Sequence, residues 1–380
     1  MLYLLIRALM ALNLFRGNNM KPTDDLRVKG YRKLMEPGML KQELAVSPVA
    51  QDTVISGRGA IDKILRKEDK RLLVIAGPCS IHDEEAAYEY AEKLQKLREQ
   101  VNDALFVVMR VYFEKPRTSV GWKGLINDPR LDDTCDIMDG LRKARRILLQ
   151  INEIGVPAAT EFLETVTPQY VADLVSWACI GARTTESQTH REMASGLSMA
   201  VGFKNGTDGN MSSAINAIVA AKTGQSFLGI DQDGRTCVVQ TNGNPLAHIV
   251  LRGGHRPNYD PISIEQARLK LIEKKLPESI MVDCSHGNSM KKYQGQAIVM
   301  KNVIDQYIAG NDALIGLMLE SNLFEGNQKF SGDLKALQYG VSITDECISW
   351  ETTEHLLLSV AEKLTNSSNR NSSDRWVNAL

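Results

Sequence analysis

Four cations, Arg110, Lys115, Arg117 and Lys123, fall within fourteen residues of the stretch Val107 to Gly124, VVMRVYFEKPRTSVGWKG. They stand at the end of an apolar, strand-like run, and Glu114 is the one carboxylate near enough in sequence to neutralise them. Lysine is a point charge and arginine a planar fork, so Arg-x4-Lys-Pro-Arg-Thr suits a small ligand carrying several phosphate or carboxylate groups. The plainer alternative is a solvated basic loop, because charge runs usually face water.

The elements that must position these groups follow from the rest of the pattern. Short apolar runs alternate with amphipathic segments, as in βα units that feed a parallel sheet. Candidate strands are Leu72 to Ala76, Phe106 to Val111, Pro157 to Glu161, Cys179 to Ala182, Ala200 to Lys204, His248 to Arg252, Ile280 to Cys284 and Ala313 to Leu319. Helical periodicity covers Glu84 to Arg98, Leu141 to Glu153, Pro168 to Trp177, Ser212 to Ala221, Ile264 to Lys274 and Gln294 to Ile308. The pattern predicts an α/β fold, a (β/α)8 TIM barrel over residues 71–365 with an N-terminal arm over 20–70. A hairpin is expected at about 226–241, where Phe227 to Ile230 and Thr236 to Thr241 flank DQDGR with its Asp-Gly turn step.

Such a barrel places its chemistry at the C-terminal ends of its strands. Those ends read Gly77-Pro78-Cys79, Arg110 with the KPRT loop, Glu161, Arg183, Lys204, Arg252-Gly253-Gly254, Asp283 to His286, and Glu320. Arg110, Lys115, Arg117, Arg183, Lys204 and Arg252 converging on one face would repel one another unless anions bind among them. Two phosphates and a carboxylate would suit them.

Cys79, His286, Glu320 and Asp345 are a thiolate, an imidazole and two carboxylates, all at strand ends or in the loops that follow. This mixed set suits one divalent ion of manganese, iron, cobalt or zinc better than magnesium or calcium. Taken singly, each is more ordinary as a core thiol, a hydrogen-bonded histidine or a solvated acid. Cys284 competes with Cys79 for the thiolate role but lies in the apolar MVDC run; His82 reads either as support for the metal group or as part of a helix start beside Asp83.

Composition bounds the remainder. With 380 residues, 43% hydrophobic and 24% charged, the chain is a soluble globular protein, and its net charge of -1 argues against nucleic-acid or membrane partners. Six scattered cysteines fit a reducing cytoplasm better than a disulfide framework. Residues 1–19 imitate a signal peptide, but Arg7 interrupts the apolar run and no cleavage site follows, so they read as an upstream extension or a disordered lead to Met20. The arm is expected to hold one helix near Ala60 to Arg66, and the polar tail over 366–380 to fray.

GPCSIH at 77–82, MRVYFEKPRTSVGWKGLINDP at 109–129, ATEF at 159–162, IGARTTESQTHREMASG at 180–196, VGFKNGTDG at 201–209, LRGG at 251–254, VDCSHGNS at 282–289 and YGVSITDECISW at 339–350 carry a resemblance. They resemble the phenylalanine/tyrosine/tryptophan-regulated type of 3-deoxy-D-arabino-heptulosonate 7-phosphate (DAHP) synthase, over about residues 20–365. The resemblance implies metal-dependent condensation of phosphoenolpyruvate with erythrose 4-phosphate, releasing phosphate and opening aromatic amino-acid biosynthesis. It implies Cys79, His286, Glu320 and Asp345 as metal ligands. Arg110, Lys115, Glu161, Arg183, Lys204 and Arg252 are then expected at phosphoenolpyruvate, and Lys115, Arg117 and Thr118 at the aldose phosphate. Lys115, Cys79 and His286 are the expected catalytic groups, with neighbouring cations depressing the pKa of Lys115.

The arm and hairpin would then build an effector pocket from Asp25, Pro168, Gln169, Leu197, Ser198, Phe227 and Val239. VDCSHGNS and YGVS resemble the tyrosine-sensitive form, EDKRLLVI the tryptophan-sensitive one, and Pro168 weighs against tryptophan, so tyrosine is favoured over phenylalanine and both over tryptophan. Ala200 departs from the family wording beside this pocket. A homodimer or homotetramer is expected. Rival readings are the sister synthase that uses arabinose 5-phosphate, a metal-dependent phosphohydrolase, and a non-catalytic amino-acid sensor.

Overall fold

The computed structural model describes residues 23–377, with side chains to Ser367. Residues 1–19 lie outside the described residues. Two compact units divide between Met35 and Glu36. In the first, residues 23–35 form neither helix nor strand, and Tyr31 Oη donates to Asp25 Oδ1 at 2.6 Å.

The second unit opens with α1 (Pro37–Glu43) and α2 (Pro48–Leu65), where the sequence predicts one short helix near Ala60 to Arg66. The start of α2 is set locally: Ser47 Oγ accepts from Ala50 N at 3.3 Å and Pro48 occupies the first turn. Both helices belong to the barrel unit, so the division falls well before residue 70.

Ten strands are found among the described residues: β1 (Leu72–Gly77), β2 (Leu105–Arg110), β3 (Ala158–Glu161), β4 (Trp177–Ile180), β5 (Ala200–Lys204), β6 (Ser226–Ile230), β7 (Thr236–Gln240), β8 (Ala247–Leu251), β9 (Ile280–Asp283) and β10 (Leu314–Glu320). All but β6 and β7 run parallel and close a barrel, with β5 beside β8 and β10 beside β1. Every residue of these eight strands is buried, which is why they read as unbroken apolar runs. The intervening helices include α3 (Glu84–Val101), α4 (Ile137–Glu153), α5 (Pro168–Val171), α6 (Gln188–Ser195), α7 (Met211–Lys222), α8 (Pro261–Glu273), α9 (Gly295–Ile308) and α10 (Trp350–Val377). Asp83, Asp136, Asn210 and Asp260 cap α3, α4, α7 and α8 with their side chains.

Ile61, Ile64 and Leu65 of α2 pack with Leu73, Phe106, Trp177, Ala200 and Ile315, early residues of five strands, and so close the lower end of the barrel. The helix expected from Pro168 to Trp177 stops at Val171; a 3-10 turn covers Ala172–Leu174, and Trp177 opens β4 two residues before the expected strand. The indole occupies the space that a side chain at Gly202 would need, so an aromatic on β4 fills the layer that glycine on β5 leaves open. β6 and β7 form the expected separate hairpin, pairing Phe227 with Val239 and Gly229 with Cys237, and Gly234 takes the left-handed φ of 71° its turn requires. The tail expected to fray from Asn366 is instead helical backbone as far as Val377, an extension of a helix anchored by Trp350, Leu357, Val360 and Leu364.

Candidate active site

Strand register assembles the site. β1 pairs with β10 so that Gly77 lies opposite Glu320, and the chain turns two residues later to place Cys79 beside that carboxylate. β10 pairs Met318 with Asp283 of β9, and β2, β3 and β5 end on Arg110, Glu161 and Lys204. One rim of the barrel therefore carries the charged residues that terminate its strands.

Cys79 Sγ, one Glu320 oxygen and one Asp345 oxygen lie within 4.8 Å of one another. His286 stands at the edge of this group, with Nε2 3.8 Å from Glu320 Oε1. A thiol and two carboxylates so spaced, with the His286 imidazole beside them, are a donor set that fits a first-row divalent metal. Glu320 is fully buried: Arg110 Nη2 donates to Oε1 at 2.9 Å and Ser285 Oγ to Oε2 at 2.6 Å. Burial opposes its ionisation, but His286, Arg110 and Lys115 outweigh it and draw the carboxyl down to about 2. Burial, with Glu320 next, pushes the Cys79 thiol up to about 11, so without added positive charge it is a thiol.

Lys115 Nζ lies 3.0 Å from Cys79 Sγ and 3.3 Å from the Cys79 carbonyl. The depressed pKa expected for Lys115 is corrected: burial works to lower it, yet Cys79, Asp345 and Glu320 together prevail over burial and Arg110, and it is raised.

The expected anion-binding residues Arg110, Lys115, Arg117, Thr118, Glu161, Arg183, Lys204 and Arg252 all line one cavity of about 720 Å3, together with His286 and Asp345. Arg183 Nη2 donates to Thr118 Oγ1 at 3.3 Å, linking the KPRT loop to the loop after β4. Gly181 leaves room for the Glu161 carboxylate, which a Cβ there would strike. The Arg110 guanidinium stacks on the Tyr112 ring at 3.5 Å from its centroid.

The profile of the DAHP synthetase I family matches residues 46–358. The chain belongs to that family. It is 51% identical over 342 residues to the Tyr-sensitive phospho-2-dehydro-3-deoxyheptonate aldolase of Salmonella typhimurium, covering 90% of this chain and 96% of that protein. It is 53% identical over 338 residues to the Phe-sensitive aldolase of Escherichia coli, covering 89% and 96%, and 52% identical over 342 residues to the Trp-sensitive one, covering 90% and 98%. A solved phospho-2-dehydro-3-deoxyheptonate aldolase from Francisella tularensis superposes with a TM-score of 0.87 at 42% identity, over 89% of this chain and 98% of that one. This member of the DAHP synthetase I family is therefore a DAHP synthase, an enzyme of the first step of aromatic biosynthesis.

In this family member Glu114 does not neutralise its neighbouring cations, contrary to the sequence reading. Its buried carboxyl turns the other way and accepts from Leu163 N, Glu164 N and Thr167 Oγ1 at 3.2–3.3 Å, and burial pushes it up to about 8. Cys284 is buried core, as expected, and His82 stands beside the Asp83 cap of α3. All six cysteines are free. Sequence reading places Asp283 at a strand end but gives it no role; its Oδ2 lies 2.8 Å from Lys204 Nζ and 3.0 Å from His286 Nδ1. It also missed Ser285, His255 and Lys291, which line the cavity.

The expected effector residues Pro168, Gln169, Leu197, Ser198, Phe227 and Val239 lie in α5, the loop after α6 and the hairpin. Phe227 and Val239 share the half-buried hairpin face, and Gln169 Oε1 accepts from Gln232 Nε2 at the hairpin tip at 2.8 Å. Asp25 lies in the N-terminal unit. No helix among the described residues is long and apolar enough to cross a membrane.

Proposed function

We propose that this cavity joins phosphoenolpyruvate to erythrose 4-phosphate with water, giving DAHP and phosphate, and that the reaction depends on a divalent metal. The observation that carries the proposal is the convergence of seven lysines and arginines on one cavity directly beside the Cys79, Glu320 and Asp345 donors. Manganese, iron, cobalt or zinc held by Cys79, His286, Glu320 and Asp345 would supply Lewis acidity at the aldehyde oxygen or at the water.

The chain's own groups account for the rest. Arg110, Lys115, Arg183, Lys204 and Arg252 fix the phosphate and carboxylate of phosphoenolpyruvate, aiming its weakly nucleophilic C3 at the aldehyde and converting lost orientational freedom into rate. Arg117 and Thr118, with Lys115, receive the phosphate of the aldose. As the C3–C1 bond forms, Lys115, kept protonated by the acids around it, can donate to the developing alkoxide. Water adds at C2, and the phosphate leaves with its ester oxygen as C2 becomes the ketone; the fixed arginines hold the charge it gains.

Pro168, Gln169, Leu197, Ser198, Phe227 and Val239 serve an aromatic amino-acid effector, tyrosine before phenylalanine and both before tryptophan. We place the enzyme in the cytoplasm as a homodimer or homotetramer. Phosphate release measured with each substrate alone and with both tests the reaction. Release from phosphoenolpyruvate alone, or preference for arabinose 5-phosphate, would refute it.

A further inference from the structure

We infer that Asp283 is a positioning residue that serves both halves of the site through a single oxygen, orienting His286 toward the metal donors and holding the Lys204 ammonium in the anion cavity. The inference rests on the metal and phosphoenolpyruvate reading above. Asp283 is fully buried at the end of β9. Its Oδ1 accepts from Ser285 N at 3.0 Å, and its buried Oδ2 lies 2.8 Å from Lys204 Nζ and 3.0 Å from His286 Nδ1, close approaches in which neither Oδ2 nor Nδ1 is yet aligned for a hydrogen bond.

A carboxylate beside an ammonium only accepts, so the proton of a neutral His286 belongs on Nδ1. The lone pair then sits on Nε2, the nitrogen 3.8 Å from Glu320 Oε1. His286 also has a left-handed backbone, φ 55°, uncommon for a residue with a Cβ; Lys291 N donates to its carbonyl at 2.7 Å. That backbone sets where the ring begins, and its Nδ1 comes to 3.0 Å from Asp283 Oδ2. The same oxygen is the ion-pair partner of the buried Lys204, and its charge holds the ammonium at that point of the cavity wall.

Asp283→Asn keeps the shape and removes the charge. Co2+ binding is followed without substrate through the thiolate-to-cobalt absorption band, and phosphoenolpyruvate binding by calorimetry, in wild type, Asp283→Asn and Lys204→Met. The expected result is a loss of Co2+ affinity of about 10–100-fold in Asp283→Asn, with weaker phosphoenolpyruvate binding. Lys204→Met should lose phosphoenolpyruvate and keep Co2+ within about threefold, since its Asp283 still holds the ring. Asp283→Asn with wild-type Co2+ affinity overturns the inference while leaving the metal reading intact; a wild type that binds no Co2+ overturns both. Should Asp283→Asn not fold, 15N spectra of histidine-labelled wild type decide: His286, assigned by its absence in His286→Gln, must show the Nδ1–H tautomer, and the Nε2–H tautomer overturns the inference.

Discussion

Lys115 Nζ sits 3.0 Å from Cys79 Sγ, and neither side chain has more than slight access to water. This contact ties the cation-lined cavity to the cluster of Cys79, Glu320 and Asp345. Replacing Lys115 by Met should lower kcat by about 10²–10³, the cost of one preorganised donor at a developing charge. Lys115→Arg should not restore it, because a planar fork cannot stand in for a point charge packed against sulfur. Steady-state kinetics checks both, and an arginine variant of wild-type activity would contradict the assignment.

The ion pair of Arg110 with Glu320 is buried, at 1% and 0% exposure. Arg110→Met removes the ion-pair partner of a fully buried carboxylate and should destabilise the protein by about 3–5 kcal/mol, read as a lower urea midpoint. Arg110→Met and Glu320→Gln combined should cost less than the sum of the two single changes. Additive losses would show that the pair carries no such coupling.

Gly181→Ala pushes a methyl group at the Glu161 carboxylate, which must turn out of the cavity wall. A displacement of about 1 Å at a positioning group can cost about 10²-fold, so kcat/KM should fall by that order with little change in the melting temperature. An unaltered kcat/KM would remove Glu161 from the site.

Glu114 supplies a pH dependence. Its carboxyl is raised to about 8 by burial, against an ordinary value of 4.5, so the folded chain keeps a proton that the unfolded chain has released. Its contribution to stability is complete below about 4.5 and is lost as pH rises through about 8. Melting temperatures from pH 5 to 9 should fall with rising pH in wild type and fall less in Glu114→Gln, which cannot ionise; equal slopes would contradict the assignment.

What sequence could convey depended on range. The strands were legible because burial on both faces leaves apolar runs, and Arg110, Glu161 and Lys204 were visible as charges closing those runs. The start of β4 was not, since Trp177 also completes a helical pattern from Pro168, and only its pairing with Ala159 and Ala200 on the neighbouring strands assigns it to the barrel. Cys79, Glu320 and Asp345 were legible as residue types, but the register that joins them is a property of closure. Glu114 misled because its neighbours in sequence are cations while its partners lie 49–53 residues away. Asp283 was hidden by position: its role depends on two side chains, Lys204 on another strand and His286 in the loop beyond.

The most direct test of the central claim is phosphate release by metal-reconstituted protein, followed with phosphoenolpyruvate alone, erythrose 4-phosphate alone and both together, before and after chelation, and in Cys79→Ala. Turnover that needs both substrates, stops on chelation, returns with added metal and is absent in Cys79→Ala is the predicted result. Turnover with one substrate, or full activity in the chelated enzyme or in Cys79→Ala, would contradict it.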